Sequence, residues 1–293
     1  MLQLPLGSAP HDMLRLHRGE IIETASGRPF SLEVLAVALQ SADIVLVGEQ
    51  HDHREHHAIQ GRIISALAAR GPSLVVGLEM LQRDDDEARA LLARYTEREI
   101  DEATFAKKLR FKKRWGLRFD VYAPVFRAAR AHRLRVFGLN APRAVVRSVA
   151  RVGLHNLTTL QRERLPSRID LHVAPHRRLF AAMLGGGHHH HLASAKLDRY
   201  YGAQCVWDAS MAEAAIALAR PRSKFHSRVV VIAGGGHVYY DLGIALRIRK
   251  RRPALKVASI ALVSVAHRHG RDVSRGLATY IIGTAPAPAH KKK

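Results

Sequence analysis

Ile44, Val45, Leu46 and Val47 run without interruption into Gly48, and Glu49, Gln50, His51, Asp52 and His53 follow at once. A short apolar run bounded by glycine predicts a strand covered on both faces, as in a parallel sheet. The polar residues then fall just beyond the strand's carboxyl end, where open α/β sheets bind ligands. Helical spacing resumes behind them, with Ala58, Ile59, Ile63 and Ile64 as the inward side. A solvated loop leading into a histidine-rich helix would leave the same local pattern, so the rest of the chain has to decide.

The same alternation recurs. Gly71-Pro72 ends the first helix, and Leu74-Val75-Val76-Gly77-Leu78 predicts a second strand that delivers Glu79. A strand–helix–strand unit implies a right-handed crossover and parallel pairing. Before it, a short extended stretch over 20–24 leads to a helix capped by Ser31 and running to Leu39, with Glu33 at its positive end. After it, residues 83–119 change character. Amphipathic helices are expected near 84–95 and 101–110, with Thr96 and Asp101 as caps, and the stretch from Arg110 to Gly116 is too charged for a core strand. This region is expected to be a small helical insertion over the carboxyl edge. A helix over 120–133 leads to a third strand over 134–139, which ends in Asn140-Ala141-Pro142-Arg143, with the proline in the first turn of the next helix. A long helix over 193–220 precedes a fourth strand, 229–233, which meets Gly234-Gly235-Gly236-His237. A helix to about Arg249 and two strands at 257–264 and 278–282 complete the pattern. The fold class is α/β with a mostly parallel sheet. The core is discontinuous, 18–82 and 120–283, interrupted by the insertion at 83–119, with a histidine-rich loop near 185–191 and a disordered basic tail at 284–293.

Composition narrows the partners. The chain of 293 residues is 47% hydrophobic and only 6% aromatic, enough for a large, mainly aliphatic core. Its single cysteine, Cys205, excludes an intramolecular disulfide and any multi-thiolate metal site. No stretch approaches the ~18 apolar residues of a membrane span. Residues 1–15 carry no recognisable signal peptide or lipobox, so the default expectation is cytoplasmic. The net charge of +22 favours polyanions and anionic small molecules. Basic runs lie at 107–114, 143–151, 247–252 and 291–293. No nucleic-acid motif or aromatic-interleaved basic platform accompanies them, so specific nucleic-acid binding is not expected.

Several predicted strand ends bring polar residues to one edge: Glu49 and His51, then Glu79, then Asn140 with Arg143, then His237. Gly48-x-x-His51 and Gly234-x-x-His237 share a spacing in which glycine permits a sharp turn or close backbone approach. The long helix places Tyr201, Gln204, Asp208 and Met211 on one face. If that stripe is buried, Gln204 and Asp208 need partners, and Asp208 would favour a cation or an imidazolium. If it faces solvent, it carries no message. Two chemistries suit these groups. Histidines with carboxylates can hold a divalent metal such as zinc or manganese for hydrolysis, with His51, His237 and Glu79 as its ligands. A tyrosinate or imidazole beside arginines can instead hold haem iron, with oxygen and nitrogen donors from Tyr200, Tyr201 and the run His188–His191.

The ordered motifs Gly48-Glu49-Gln50-His51-Asp52-His53, Ala58-Ile59-Gln60, Gly77-Leu78-Glu79-Met80, Trp115 before Phe119-x-x-Tyr122, Asn140-Ala-Pro-Arg143, Tyr201-x-Ala203-Gln204-x-x-Trp207-Asp208-x-x-Met211 and Gly234-x-Gly236-His237 together resemble the ChaN family of haem-binding, iron-regulated proteins. The resemblance covers roughly residues 18–265. It implies a three-layer α/β/α core and haem binding in haem or iron acquisition or handling, in a homodimer if the site lies at a subunit interface. Tyr201 becomes the candidate iron ligand, His190 a second contributor, and Arg143, Asn140, Gln204 and Asp208 their surroundings. The wider superfamily, with Tiki proteases and erythromycin esterases, implies the alternative of metal-dependent or general-base hydrolysis by Glu49, His51, Glu79 and His237. The family also includes exported and lipid-anchored members, which this amino terminus does not match.

Overall fold

A computed structural model describes residues 13–71, 74–185, 194–219, 227–266 and 268–287. The predicted apolar runs form β4 (Ile44–Glu49), β5 (Leu74–Gln82), β6 (Arg135–Asn140), β7 (Arg228–Gly234), β8 (Val257–Ser264) and β10 (Tyr280–Thr284). With β2 (Ile21–Glu23) and β3 (Pro29–Phe30) they make an eight-stranded sheet in the order β3-β2-β10-β8-β4-β7-β5-β6. The six strands from β10 to β6 are parallel, and the two antiparallel pairings, β10 with β2 and β2 with β3, lie at one margin. A separate two-stranded ladder joins β1 (Met13–Leu16) to β9 (Arg271–Ser274). One expectation needs correction. β4 and β5 are parallel but not paired, because β7 lies between them, with Val229 opposite both Ile44 and Val75. The valine-rich β7 comes from far along the chain, and periodicity around β4 carries no record of it.

Alternation along β4 sends its side chains to two different cores. Val45 and Val47 join Leu35 of α1 (Leu32–Ala38), Ile63 and Ile64 of α2 (Arg54–Ala68), and Phe126 of α6 (Phe119–Ala131). Ile44 and Leu46 join Met211 and Ala215 of α10 (Ser194–Leu218) and Ile248 of α12 (Ile244–Arg251). Helices thus cover both faces in three layers, and each fully buried Leu or Ile contributes about 1.5–3 kcal/mol of transfer free energy. Ser31 accepts from the amide of Val34 and caps α1, as its sequence position predicts.

The insertion comprises α3 (Asp86–Thr96), α4 (Glu102–Leu109) and α5 (Phe111–Trp115). Asp101 caps α4, but Asp85 rather than Thr96 provides the cap of α3. The charged stretch 110–116, too charged for a core strand, forms the short helix α5, stopped by Gly116 at φ 98°. The helix expected from 234 to 249 is also broken. Gly235–Val238 forms one turn, Tyr240 and Asp241 adopt φ of 58° and 55°, and α12 starts afresh.

The register of β5 against β6 jumps between Leu78 and Gln82, so β5 bulges where it carries Glu79. Gly138 makes this possible. A Cβ there would lie 2.4 Å from the Gln82 carbonyl oxygen and 2.7 Å from the Leu81 carbonyl.

Candidate functional site

Glu49 is the last residue of β4 and continues the Val45–Val47 face, which aims it at α2 and α6. Its carboxylate is buried yet fully engaged. The Tyr122 hydroxyl donates to it at 2.6 Å, and the Gln60 amide donates at 3.1 Å. His51 Nδ1 lies 2.7 Å from one oxygen and His57 Nδ1 lies 2.9 Å from the other. His57 also donates through Nε2 to the His51 carbonyl at 3.0 Å. This second bond fixes the backbone on which His51 turns. The His51 side chain keeps 40% exposure and meets the edge of Trp115 at 5.0 Å.

A second carboxylate–imidazole pair approaches from the other face of the sheet. Asp208 on α10 lies 2.7 Å from His237 Nδ1, and the Gln204 carboxamide stands 3.0 Å from the same nitrogen. Behind Asp208 are Arg247 at 3.5 Å and His176 Nε2 at 3.3 Å. Glu79 sits between the two pairs. Its Oε2 accepts from the Gly234 amide at 2.6 Å, and its Oε1 is 3.4 Å from His237 Nε2 and 3.9 Å from His51 Nε2. Gly234 allows this convergence, since a Cβ on it would come within 2.8 Å of the His51 ring.

Buried charge survives here only because signs alternate. Burial alone would raise the pKa of Glu49, but hydrogen bonds from His51 and His57 outweigh it and hold the carboxyl well below its ordinary range. For Glu79, burial is likewise outweighed, chiefly by the His237 charge. For Asp208 the Arg247 guanidinium does most of this work. The imidazoles respond in the opposite sense. Burial would lower His237, but Glu79 and Asp208 push it up to about 10. His51 and His57 are raised against burial chiefly by their bonds to Glu49. Lowered carboxylates thus alternate with raised imidazoles through the cluster, and His237 is held protonated at neutral pH. Glu79 can accept a proton, while His51 and His237 can donate one or steady a developing anion.

The strand-end residues Glu49, His51, Glu79 and His237 thus meet, as their spacing implied. The stripe on α10 is buried, and Asp208 has the imidazole and guanidinium partners that a buried carboxylate requires. Tyr201 is only 3% exposed; its hydroxyl donates to the Val173 carbonyl and stands 3.2 Å from His176 Nδ1. Asn140 serves the scaffold, with its amide donating to the Glu79 carbonyl and its oxygen accepting from the Ala141 amide. Arg143 is exposed and donates to the carbonyl of Arg114. His190 and its histidine neighbours lie outside the described residues. Among the described residues no group of three or more His, Cys, Asp or Glu side chains is arranged to hold a metal ion. Sequence reasoning did not assign His57, Gln60, Tyr122, His176 or Arg247 to the site. His57 and Gln60 do carry a signal, being polar groups three apart on the face of α2 that also holds Ile64.

Comparison with known proteins follows this geometry. A family model described as "Haem-binding uptake, Tiki superfamily, ChaN" matches residues 35–248. The solved structure of ChaN from Campylobacter jejuni, described as showing cofacial haem binding, is similar over 91% of this chain and 98% of its own, with 19% identity and a TM-score of 0.71. An erythromycin esterase in its open conformation is more distantly similar, with 14% identity over 85% of this chain and 77% of its own, at a TM-score of 0.47. No curated protein matches significantly.

Proposed function

The chain belongs to the ChaN-type haem-binding uptake family of the Tiki superfamily, and from that premise we propose that it binds haem and acts in haem or iron acquisition or handling. The observation that carries this reading is the match to that family across residues 35–248. The chemistry of the site is compatible with haem. Glu49 occupies Nδ1 of the partly exposed His51 and leaves Nε2 beyond hydrogen-bond reach of Glu79. A carboxylate on the far nitrogen orients an imidazole and raises its basicity as a metal ligand. The resemblance pointed to Tyr201 for this role. Because that phenol is shut in between His176 and Val173, His51 is the better-placed donor. The exposed Arg143 is available to a propionate. Haem iron takes a neutral imidazole, so haem and protons compete for His51, and affinity falls as pH falls. Haemin titration followed at the Soret band tests the reading; a spectrum that never departs from free haemin would overturn it. The stoichiometry and sedimentation of loaded protein test for a homodimer.

A second reading rests on a different observation, the approach of His51 Nε2 and His237 Nε2 to Glu79. That arrangement suits hydrolysis, with Glu79 activating water and the imidazoles acting as acids. Zinc and manganese content of the purified protein would separate a metal-dependent version from a metal-free one. Hydrolysis that survives both His51→Ala and His237→Ala would eliminate this site.

A further inference from the structure

The insertion carries a feature that the site does not use. Between Glu102 and Asp120 the sequence holds Lys107, Lys108, Arg110, Lys112, Lys113, Arg114 and Arg118 and no carboxylate. Arg114 is neutralised by Asp85 and Glu87, and Arg118 by Asp120. The remaining cations are exposed and form no ion pair among the described residues. Arg110 takes a left-handed conformation, φ 47°, where α4 ends and α5 begins, and the two helices meet at an angle there. Beside this junction lies an open groove of about 770 Å³. Its apolar lining is Ala106, Phe111 and Phe119, and Arg110, Lys112 and Lys113 stand along it. Asp120 is its one lining carboxylate and is held by Arg54 and Arg118.

From this juxtaposition we infer that the face of the insertion formed by α4 and α5 docks onto an anionic phospholipid surface. The cations meet lipid phosphates, and the groove receives the apolar portion of a lipid. Charge complementarity favours an anionic partner. The recessed rings favour a lipid over a nucleic acid, because Phe111 is buried and Phe119 partly so, which leaves no exposed platform for base stacking. The inference shares no residue with the haem proposal and stands apart from it.

The test is co-sedimentation of the full chain with phosphatidylglycerol-containing vesicles and with phosphatidylcholine vesicles. A chain of net charge +22 will be drawn to any anionic surface, so the control must change charge equally elsewhere. Lys112→Glu with Lys113→Glu is compared with Arg147→Glu and Arg151→Glu, two exposed positions on α7 (Arg143–Val152). At about 1 kcal/mol per basic residue near such a surface, the first variant should lose roughly tenfold or more in partitioning. The second should lose only about twofold through general charge. Ala106→Gln fills the groove with an uncharged polar side chain and should reduce retention at high salt. Equal losses in the two charge variants would overturn the inference. So would failure of the wild type to prefer anionic vesicles, or groove filling that leaves retention unchanged. Binding of a single-stranded oligonucleotide as tight as vesicle binding, lost in parallel in the Lys112/Lys113 variant, would reassign the face to nucleic acid.

Discussion

Asp208→Asn keeps the outline of a side chain and removes its charge. The wild-type carboxylate is fully buried and faces His237 Nδ1 at 2.7 Å, His176 Nε2 at 3.3 Å and Arg247 at 3.5 Å. Arg247 is itself 4% exposed and also donates to the carbonyls of Leu242, Gly243 and Asp170. Deleting one member of a buried ion pair typically costs ~3–5 kcal/mol, because the other charge stays behind unpaired. The imidazole gives a second measure. Raising His237 from 6.5 to about 10 corresponds to roughly 5 kcal/mol between its protonation states, the net left after burial opposes the attraction of Glu79 and Asp208. We therefore expect the variant to lose about 3–5 kcal/mol near neutral pH, read from the denaturant midpoint at unchanged m-value. The pH dependence has a fixed sign. A raised pKa contributes stability that is complete below the unfolded value of 6.5 and is lost as pH rises through about 10. In the variant the folded pKa drops and that contribution shrinks. While Asp208 stays ionised, the gap between the two proteins should therefore be widest below about pH 6.5 and narrow as pH rises toward 10. A gap under about 1 kcal/mol, or one that stays constant with pH, would refute the proposed charge network.

Further outcomes follow from the same structure. Tyr122→Phe removes the hydroxyl that donates to Glu49 at 2.6 Å; about 1.5–3 kcal/mol of stability should be lost, measurable by urea unfolding. Gly138→Ala places a methyl against the backbone of the β5 bulge; a loss of ~1–3 kcal/mol or more is expected, with local amide exchange accelerating around Glu79. Glu49, Glu79 and Asp208 all have lowered pKa values, so their contributions are present above the ordinary carboxylate range. Those contributions should disappear as pH falls through the folded values. Glu49→Gln should make the acid limb of stability against pH shallower, and an unchanged limb would count against the buried pairings.

The parts of this protein written in local sequence were legible. The switch from Val47 to Glu49 located a strand end, and the repeated Gly-x-x-His spacing linked two strand ends before their neighbours were known. The stripe through Gln204 and Asp208 posed a question about partners that His237 and Arg247 answer. Pairing order was not legible, because β7 reaches its place between β4 and β5 through contacts distant in sequence. The break after His237 escaped notice because Tyr239, Tyr240 and Asp241 contain no proline or glycine, and only Gly243 beyond them hinted at an interruption. The supporting shell of Glu49 was hidden for a related reason. His57 reads as an ordinary helix position, and Tyr122 as a motif residue with no partner assigned, until the fold brings both onto one carboxylate.

We propose that the chain holds haem at the carboxyl edge of its sheet through the imidazole that Glu49 orients. Haemin titration of the wild type beside His51→Ala and Tyr201→Phe tests it most directly, with the Soret band as the readout. The wild type should show a saturable shift that is weakened in His51→Ala and retained in Tyr201→Phe. A shift lost in Tyr201→Phe and intact in His51→Ala would move the iron to the buried phenol. No shift in any of the three proteins would contradict the haem reading itself.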